Sequence, residues 1–292
     1  MKHKQYLLLL AALVTVLLLV SACGVNAANS AQSTPPLQVL QKSYSAMKQL
    51  KSAHFTMQLA EQMNMGSGSS TTFKISANGD EVLPDKAEVH LTELGMSLSA
   101  ITLGREMYLQ NTKGQWYVLQ LSQAQGSAGN PFSGTSISSY NNLLALASKA
   151  HFVDHGLQTL NGQSLRHITV TLDKNALQQI IGANLGSGLG SANSASMKQV
   201  LNELNIQNTT LDLWIDPATY DVYQMELKYT MSLNAGAIAT PTTSTATASN
   251  LGITSDTTID LSKFNAPVTI SAPNNAIPTN NLSSVFGLYG IK

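Results

Sequence analysis

The sequence predicts an α+β fold, with a single antiparallel β-sheet and helices packed on one face of it. Three observations carry this expectation. Apolar and polar residues alternate at period two through much of the chain. Short turn sequences separate the alternating runs, so consecutive strands are antiparallel neighbours. One stretch near the N-terminus switches instead to helical spacing. The composition agrees. Of 292 residues, 43% are hydrophobic, enough to build a core. Only 11% are charged, against about 25% in an ordinary soluble domain. With 16 basic and 16 acidic residues the formal net charge is zero, so no basic face for nucleic acid is expected. Electrostatic docking on anionic lipid is equally unexpected. A single cysteine excludes a disulfide framework, a cysteine zinc site and a CxxC redox centre.

The chain opens with Lys2, His3 and Lys4, followed by an apolar run from Leu7 to Val20 broken only by Thr15. A membrane span needs about 20 apolar residues, and this run is shorter, as in a signal peptide over residues 1–22. The run ends in Val20-Ser21-Ala22-Cys23. That segment resembles the lipobox of bacterial lipoproteins, which implies that Cys23 is the first mature residue and carries lipid such as palmitate. The alternatives are a plain signal peptide with an incidental cysteine, or an uncleaved anchor. Residues 23–36 read as the lipidated cysteine and an uncharged tether. The tether reaches about 45 Å fully extended and about 20 Å as a coil. The expected location is therefore the extracytoplasmic face of the cell membrane, lipid-anchored.

Thr34 is expected to cap a helix with Pro35 in its first turn. Leu37, Leu40, Tyr44, Met47 and Leu50 form its apolar stripe, with Lys42, Lys48 and Lys51 toward solvent. Period two then begins. Phe55, Met57 and Leu59 alternate with polar residues, as do Phe73 and Ile75, Val89 and Leu91, and Met96, Leu98 and Ala100. Expected turns are Gly66-Ser67-Gly68, Asn78-Gly79-Asp80, Gly104-Arg105 and Asn111–Gly114. Ser122–Ser139 reads as a polar loop, and Tyr140, Leu143, Leu144 and Leu146–Ala147 as a helix ending near His151.

Asn161-Gly162 marks a hairpin between Phe152–Leu160 and Leu165–Leu172. Ala176–Ile181 and Met197–Leu204 read as helices joined by the Gly/Ser-rich Gly182–Ser196. Leu211, Leu213 and Ile215 form the next strand, Asp216–Thr219 a turn, and Tyr223, Met225, Leu227, Tyr229, Met231 and Leu233 a long strand with one apolar face. Ala235–Asn250 is an Ala/Thr-rich excursion without a burial pattern, and Thr257–Leu261 resumes the sheet. Residues 37–264 are expected to form one domain. Residues 265–292 read as an Asn/Pro-rich tail, ordered where it lies on that domain.

No GxSxG, P-loop, HExxH or GxGxxG motif is present. His151-x-x-x-His155 has a metal-pair spacing, but on a strand start it reads as two half-exposed histidines. Asp212, Asp216 and Asp221 surround a turn that accounts for them without a cation. Nothing builds an activated nucleophile or an acid–base pair, so the expectation is a protein that is not an enzyme and needs neither metal nor cofactor.

The order of features is similar to the LppX/LprAFG-type bacterial lipoproteins of the LolA/LolB-like fold. The residues that carry the resemblance are the lipobox, the single helix before long strands, Tyr108-Leu109 with Gly114-Gln115-Trp116-Tyr117, and Leu213-Trp214-Ile215-Asp216-Pro217. The resemblance implies a sheet curved into a half-barrel around helices on its concave face. It also implies an apolar cavity that binds or transports lipid or lipidated molecules, with no protein partner specified. The residues assigned to that cavity are Phe55, Met57, Leu59, Phe73, Ile75, Val89, Leu91, Met96, Leu98, Leu213, Met225 and Leu227. Methionine, frequent among them, suits a surface that repacks around variable chains. The same residues would equally line a solid core. A carrier therefore competes with a non-catalytic envelope sensor or surface module on the same fold, and with a hydrolase of unrecognised site.

Overall fold

The computed structural model describes residues 34–65, 69–93, 95–120, 144, 150–172, 174, 205–234 and 250–280. The signal segment, Cys23 and most of the tether lie outside the described residues. So do the Gly66–Gly68 turn, the 122–139 loop, the helix expected from Tyr140 apart from the buried Leu144, the helices expected within 176–204, residues 235–249 and residues 281–292.

Helix α1 spans Pro36–Lys48, one residue later than expected. Pro35 is the N-cap and makes no side-chain cap bond, so Thr34 does not cap the helix; the Pro35 carbonyl accepts from the Gln38 and Val39 amides at 2.9 and 3.1 Å. Its buried residues are Val39, Leu40, Ser43 and Met47. The face centred on these four puts Leu37 at its margin, 39% exposed, instead of in the stripe. Burying Leu40 and Met47 contributes about 2–3 kcal/mol each.

Among the described residues twelve strands form one open sheet. In chain order they are β1 (Ser52–Met65), β2 (Ser69–Val82), β3 (Lys86–Glu93), β4 (Met96–Leu103), β5 (Glu106–Gln110), β6 (Trp116–Gln120), β7 (His151–Leu160), β8 (Gln163–Thr171), β9 (Asn205–Ile215), β10 (Val222–Asn234), β11 (Asn250–Ser262) and β12 (Ile277–Pro278). Across the sheet the order is β12-β6-β5-β4-β3-β2-β1-β11-β10-β9-β8-β7. Every pairing is antiparallel except the two-residue β12, which runs parallel to β6. The outermost strands β12 and β7 do not meet, so the sheet is not closed.

The turns mostly follow their chemistry. Asn161 and Gly162 have φ of 51° and 80°, the pair of positive values that a type I′ hairpin requires. Asp216 Oδ1 accepts from the amides of Ala218 and Thr219 at 2.7 and 2.8 Å, and Asn111 Oδ1 from those of Lys113 and Gln115. The expected turn at Asn78-Gly79-Asp80 is wrong. These residues lie inside β2, and the chain reverses at Leu83–Asp85 instead. Gly79 is there for space: a Cβ on it would come within 2.0 Å of the Glu88 carbonyl oxygen and 3.1 Å of Phe55.

Two further departures follow from bulges and packing. A register shift between Val222 and Gln224 turns Val222 into the core. Tyr223 therefore leaves the face of Met225 and meets Phe264 edge-on at 5.1 Å. After β11, Asn265 is tied to the start of β1, its amide donating to the Ser52 carbonyl at 2.8 Å. Val268, Ile270 and Ala276 then lie on Ile101, Tyr108, Trp116 and Val118. This strap ends in β12 beside β6.

A methyl group at Gly79 would force β2 and β3 apart. Gly79→Ala is expected to lower stability by about 2–3 kcal/mol in denaturant titration. Gly95→Ala, at a φ of 80° with nothing within 4 Å, should cost only about 1 kcal/mol from backbone strain. Equal losses would mean that space at Gly79 is not the constraint.

Candidate functional site: the inner face of the sheet

One face of the sheet, here the inner face, carries α1 and the main apolar cluster. Register fixes its rows. One row crosses seven strands as Ile168, Leu213, Met225, Ile259, Met57, Ala77 and Leu91, and continues to Leu98 on β4. The next begins with Val170, Leu211, Leu227, Thr257, Leu59 and Ile75. All twelve residues assigned to a cavity from the sequence lie on this face, and the rows bring them side by side.

Burial divides them. Phe55, Val89, Leu213 and Met225 are buried in the cluster with α1 and pack as core. Met57, Leu59, Phe73, Ile75, Leu91, Leu98 and Leu227 are half-buried, and Met96 stands at the rim, 40% exposed. The face thus runs from a dry end under α1 to a half-buried apolar end. Met63, Met231 and Ile253 extend that end and are half-buried too. Met63 and Met231 follow from period two, but Ile253 fell outside the strand as read from sequence, because the Gly and Ser around it mask the alternation.

Within the half-buried end sits a polar row. Tyr229, Ser255 and Glu61 are directly opposite one another on β10, β11 and β1, and Phe73 continues the row on β2. Burial pushes the Glu61 carboxyl above the usual carboxylate range, and a nearby Ser255 pulls it partly back. Burial also raises Tyr229, which Ser255 again opposes and the Glu61 charge reinforces. Ser255 lies close enough to influence both, yet its buried Oγ forms no hydrogen bond of acceptable geometry.

The candidate metal residues do not converge. Asp212 accepts from Thr169 Oγ1 and contacts His167 Nε2 at 2.9 Å on the outer face. His155 stacks on His167, and His167 on Trp214, with centroids 4.5 and 4.2 Å apart. His151 is exposed at the start of β7. Among the described residues no group of three or more His, Cys, Asp or Glu is placed to hold a metal ion. Arg166, 3% exposed at the inner edge, pairs with Asp154. Burial opposes the Asp154 charge, but the Arg166 and Gly156 hydrogen bonds outweigh it and hold its pKa below the usual range. A groove of about 370 Å3 lies between α1 and the 216–220 turn, lined by Gln38, Gln41, Lys42, Thr219 and Tyr220 among others. It lies apart from the apolar rows.

The described residues form an open antiparallel sheet with a helix packed against its apolar inner face. The chain belongs to a family of unknown function, DUF6612, whose family model matches residues 36–281. No curated protein sequence matches it. The structure is similar to the lipoprotein LppX of Mycobacterium tuberculosis, at 16% identity, over 80% of this chain and 97% of that one, with a TM-score of 0.43. It is similar to LprF of Mycobacterium bovis at 16% identity, over 85% and 98%, TM-score 0.43. A LolA superfamily protein of Nitrosomonas europaea matches at 10% identity, over 83% and 96%, TM-score 0.25. The lipoprotein LppX is of the type that the sequence motifs resemble. Likenesses this loose say nothing about a ligand.

The raised Glu61 pKa has a testable consequence. A carboxyl whose folded pKa is raised contributes stability that is full below its unfolded pKa, about 4.3, and lost as pH rises through the folded value. Glu61→Gln should therefore raise the melting temperature at about pH 7.5 and leave it unchanged near pH 4. An equal gain at both pH values would assign the effect to packing.

Proposed function

We propose that the protein is an envelope lipoprotein that binds lipid or a lipidated molecule on the half-buried end of its inner face, for transport. In this reading the sheet curves into a half-barrel with the expected helices on its concave side. The protein is held at the extracytoplasmic face of the membrane by lipid on Cys23, and it is not an enzyme. One observation supports it above the others: the apolar rows continue well beyond the part of the face that α1 and the core bury. A sheet that needed only a core would stop its apolar pattern where burial stops.

Energetics make such a face workable. A C16 chain contributes roughly 12 kcal/mol on leaving water, at about 0.8 kcal/mol per methylene. Leaving a bilayer costs about the same, so a carrier exchanges lipid near equilibrium by matching the bilayer interior. Met57, Met63 and Met231, half-buried and flexible, can adapt to more than one chain shape. A second reading, a non-catalytic envelope sensor with a packed interior, draws support from the burial of Phe55, Val89, Leu213 and Met225.

Mass spectrometry of organic extracts from the purified mature domain separates the two. Leu227 is half-buried next to Leu211 and Thr257, so Leu227→Trp should occupy the lipid's space at a cost of about 1–3 kcal/mol. Extracted lipid is expected to fall at least threefold (about 0.7 kcal/mol) with native circular dichroism. Lipid-free wild-type protein, or a variant that unfolds, favours the sensor.

The anchor has its own test. Two acyl chains on one residue give stable attachment, where a single chain is marginal. Cys23→Ala should release the protein from the membrane or leave an unprocessed precursor in it. Continued cleavage and acylation of the variant would remove the lipobox reading.

A further inference from the structure

The polar row crosses the half-buried end of the inner face. Ser255 is 1% exposed, and its Oγ, although within reach of Glu61 and Tyr229, forms no hydrogen bond of acceptable geometry. A packed sheet avoids orphaned hydroxyls, because desolvation without a replacement hydrogen bond is a net cost. Alanine at this position would fill the same place without that cost. Register sets Ser255 between Glu61 and Tyr229, opposite each, and paired residues hold their Cβ atoms about 5 Å apart. Apolar rows flank the trio on both sides. Leu227, Thr257 and Leu59 precede it, and Met231, Ile253 and Met63 follow it. Three hydrogen-bonding groups thus cross a face that is otherwise largely built for hydrocarbon.

Building on the lipid-binding reading, we propose that Glu61, Ser255 and Tyr229 form a polar subsite that seats a neutral hydroxyl group of the bound lipid. A hydroxyl oxygen accepts from Ser255 or Tyr229, and its proton is donated to the Glu61 carboxyl, so one small uncharged group satisfies both sides. An anionic group fits poorly. It would meet the Glu61 carboxylate with no counter-charge on these strands, since the described cations of β1, β2, β10 and β11 lie on the outer face. There Lys74 is opposite Ala60, Lys228 pairs with Glu226 at 2.6 Å, and His54 with Asp80 at 2.8 Å. The subsite selects a hydroxylated, uncharged lipid such as a mono- or diacylglycerol, with its chains along the apolar rows.

Three radiolabelled probes test this on the mature chain: 1-oleoylglycerol, methyl oleate and oleate. The first two share a chain and an ester and differ in free hydroxyls. Wild-type protein is expected to bind 1-oleoylglycerol about tenfold more tightly than methyl oleate, the scale of one or two net hydrogen bonds. Ser255→Ala and Tyr229→Phe should each erase most of that preference and leave methyl oleate unchanged. Ser255→Ala removes a hydroxyl without a partner, so it should fold as well as the wild type. Oleate should bind weakly to wild type and gain in Glu61→Gln. Binding of methyl oleate with no preference for the hydroxylated probe, or a preference that both variants retain, overturns the subsite and leaves lipid binding standing. Binding of none of the three overturns both.

Discussion

The register of β1 is the constraint on which the rest of the molecule depends. It is hydrogen-bonded along its length on both sides, to β2 and to β11. These pairings set Phe55 opposite Gly79 and Leu261, and Met57 opposite Ala77 and Ile259. A slip of one residue would send that whole apolar set to the other face. Gly79 reinforces the register, because only a residue without Cβ lets β3 come so close beside Phe55. The β1–β11 pairing also joins segments some two hundred residues apart, such as His54 and Ser262. Pairings at that separation require a long loop to close before they yield contacts, which makes folding slow.

Given that register, the inner face is one surface under two regimes. Beneath α1 it is close-packed, and volume there is fixed by Phe55, Leu40, Met47 and Leu213. Further along, the strands keep their apolar pattern while burial fades, and the side chains become methionine, leucine and phenylalanine with room to change rotamer. The polar trio lies in this second zone, where an unmade hydrogen bond can be completed by something that is not the chain.

The outer face is managed differently. Cross-strand polar pairs cover its centre, including His54 with Asp80, His90 with Ser99 and Gln224 with Asp260. The strap from Asn265 to β12 covers the apolar patch around Ile101 and Tyr108. The same strap pairs with β6, so that strand is not left as a bare edge. At the opposite edge β7 carries a bulge between Asp154 and Leu157 and the buried Asp154–Arg166 pair. A bulge and an inward charge both discourage further strands from adding there.

The sequence by itself determined the sheet, its antiparallel pairing, the N-terminal helix and most of the membership of the inner face. These depend on period-two alternation and local turn chemistry, which are written in neighbouring residues. The Asn161-Gly162 hairpin and the Asp216 turn are legible for that reason. Tertiary structure alone decided the rest. Asn78-Gly79-Asp80 has the composition of a turn, but the close approach of Glu88 makes its glycine a packing residue inside β2. Leu37 and Val39 exchange places because the sheet, not the helix, chooses which stripe to cover. Tyr223 changes face through a bulge that no alternation announces. The division between core and half-buried face was equally hidden, since Phe55 and Leu59 occupy equivalent positions in the alternation and differ only in what lies above them. The polar trio was invisible for the same reason: Glu61, Ser255 and Tyr229 are distant in sequence and meet only through the pairing of three strands.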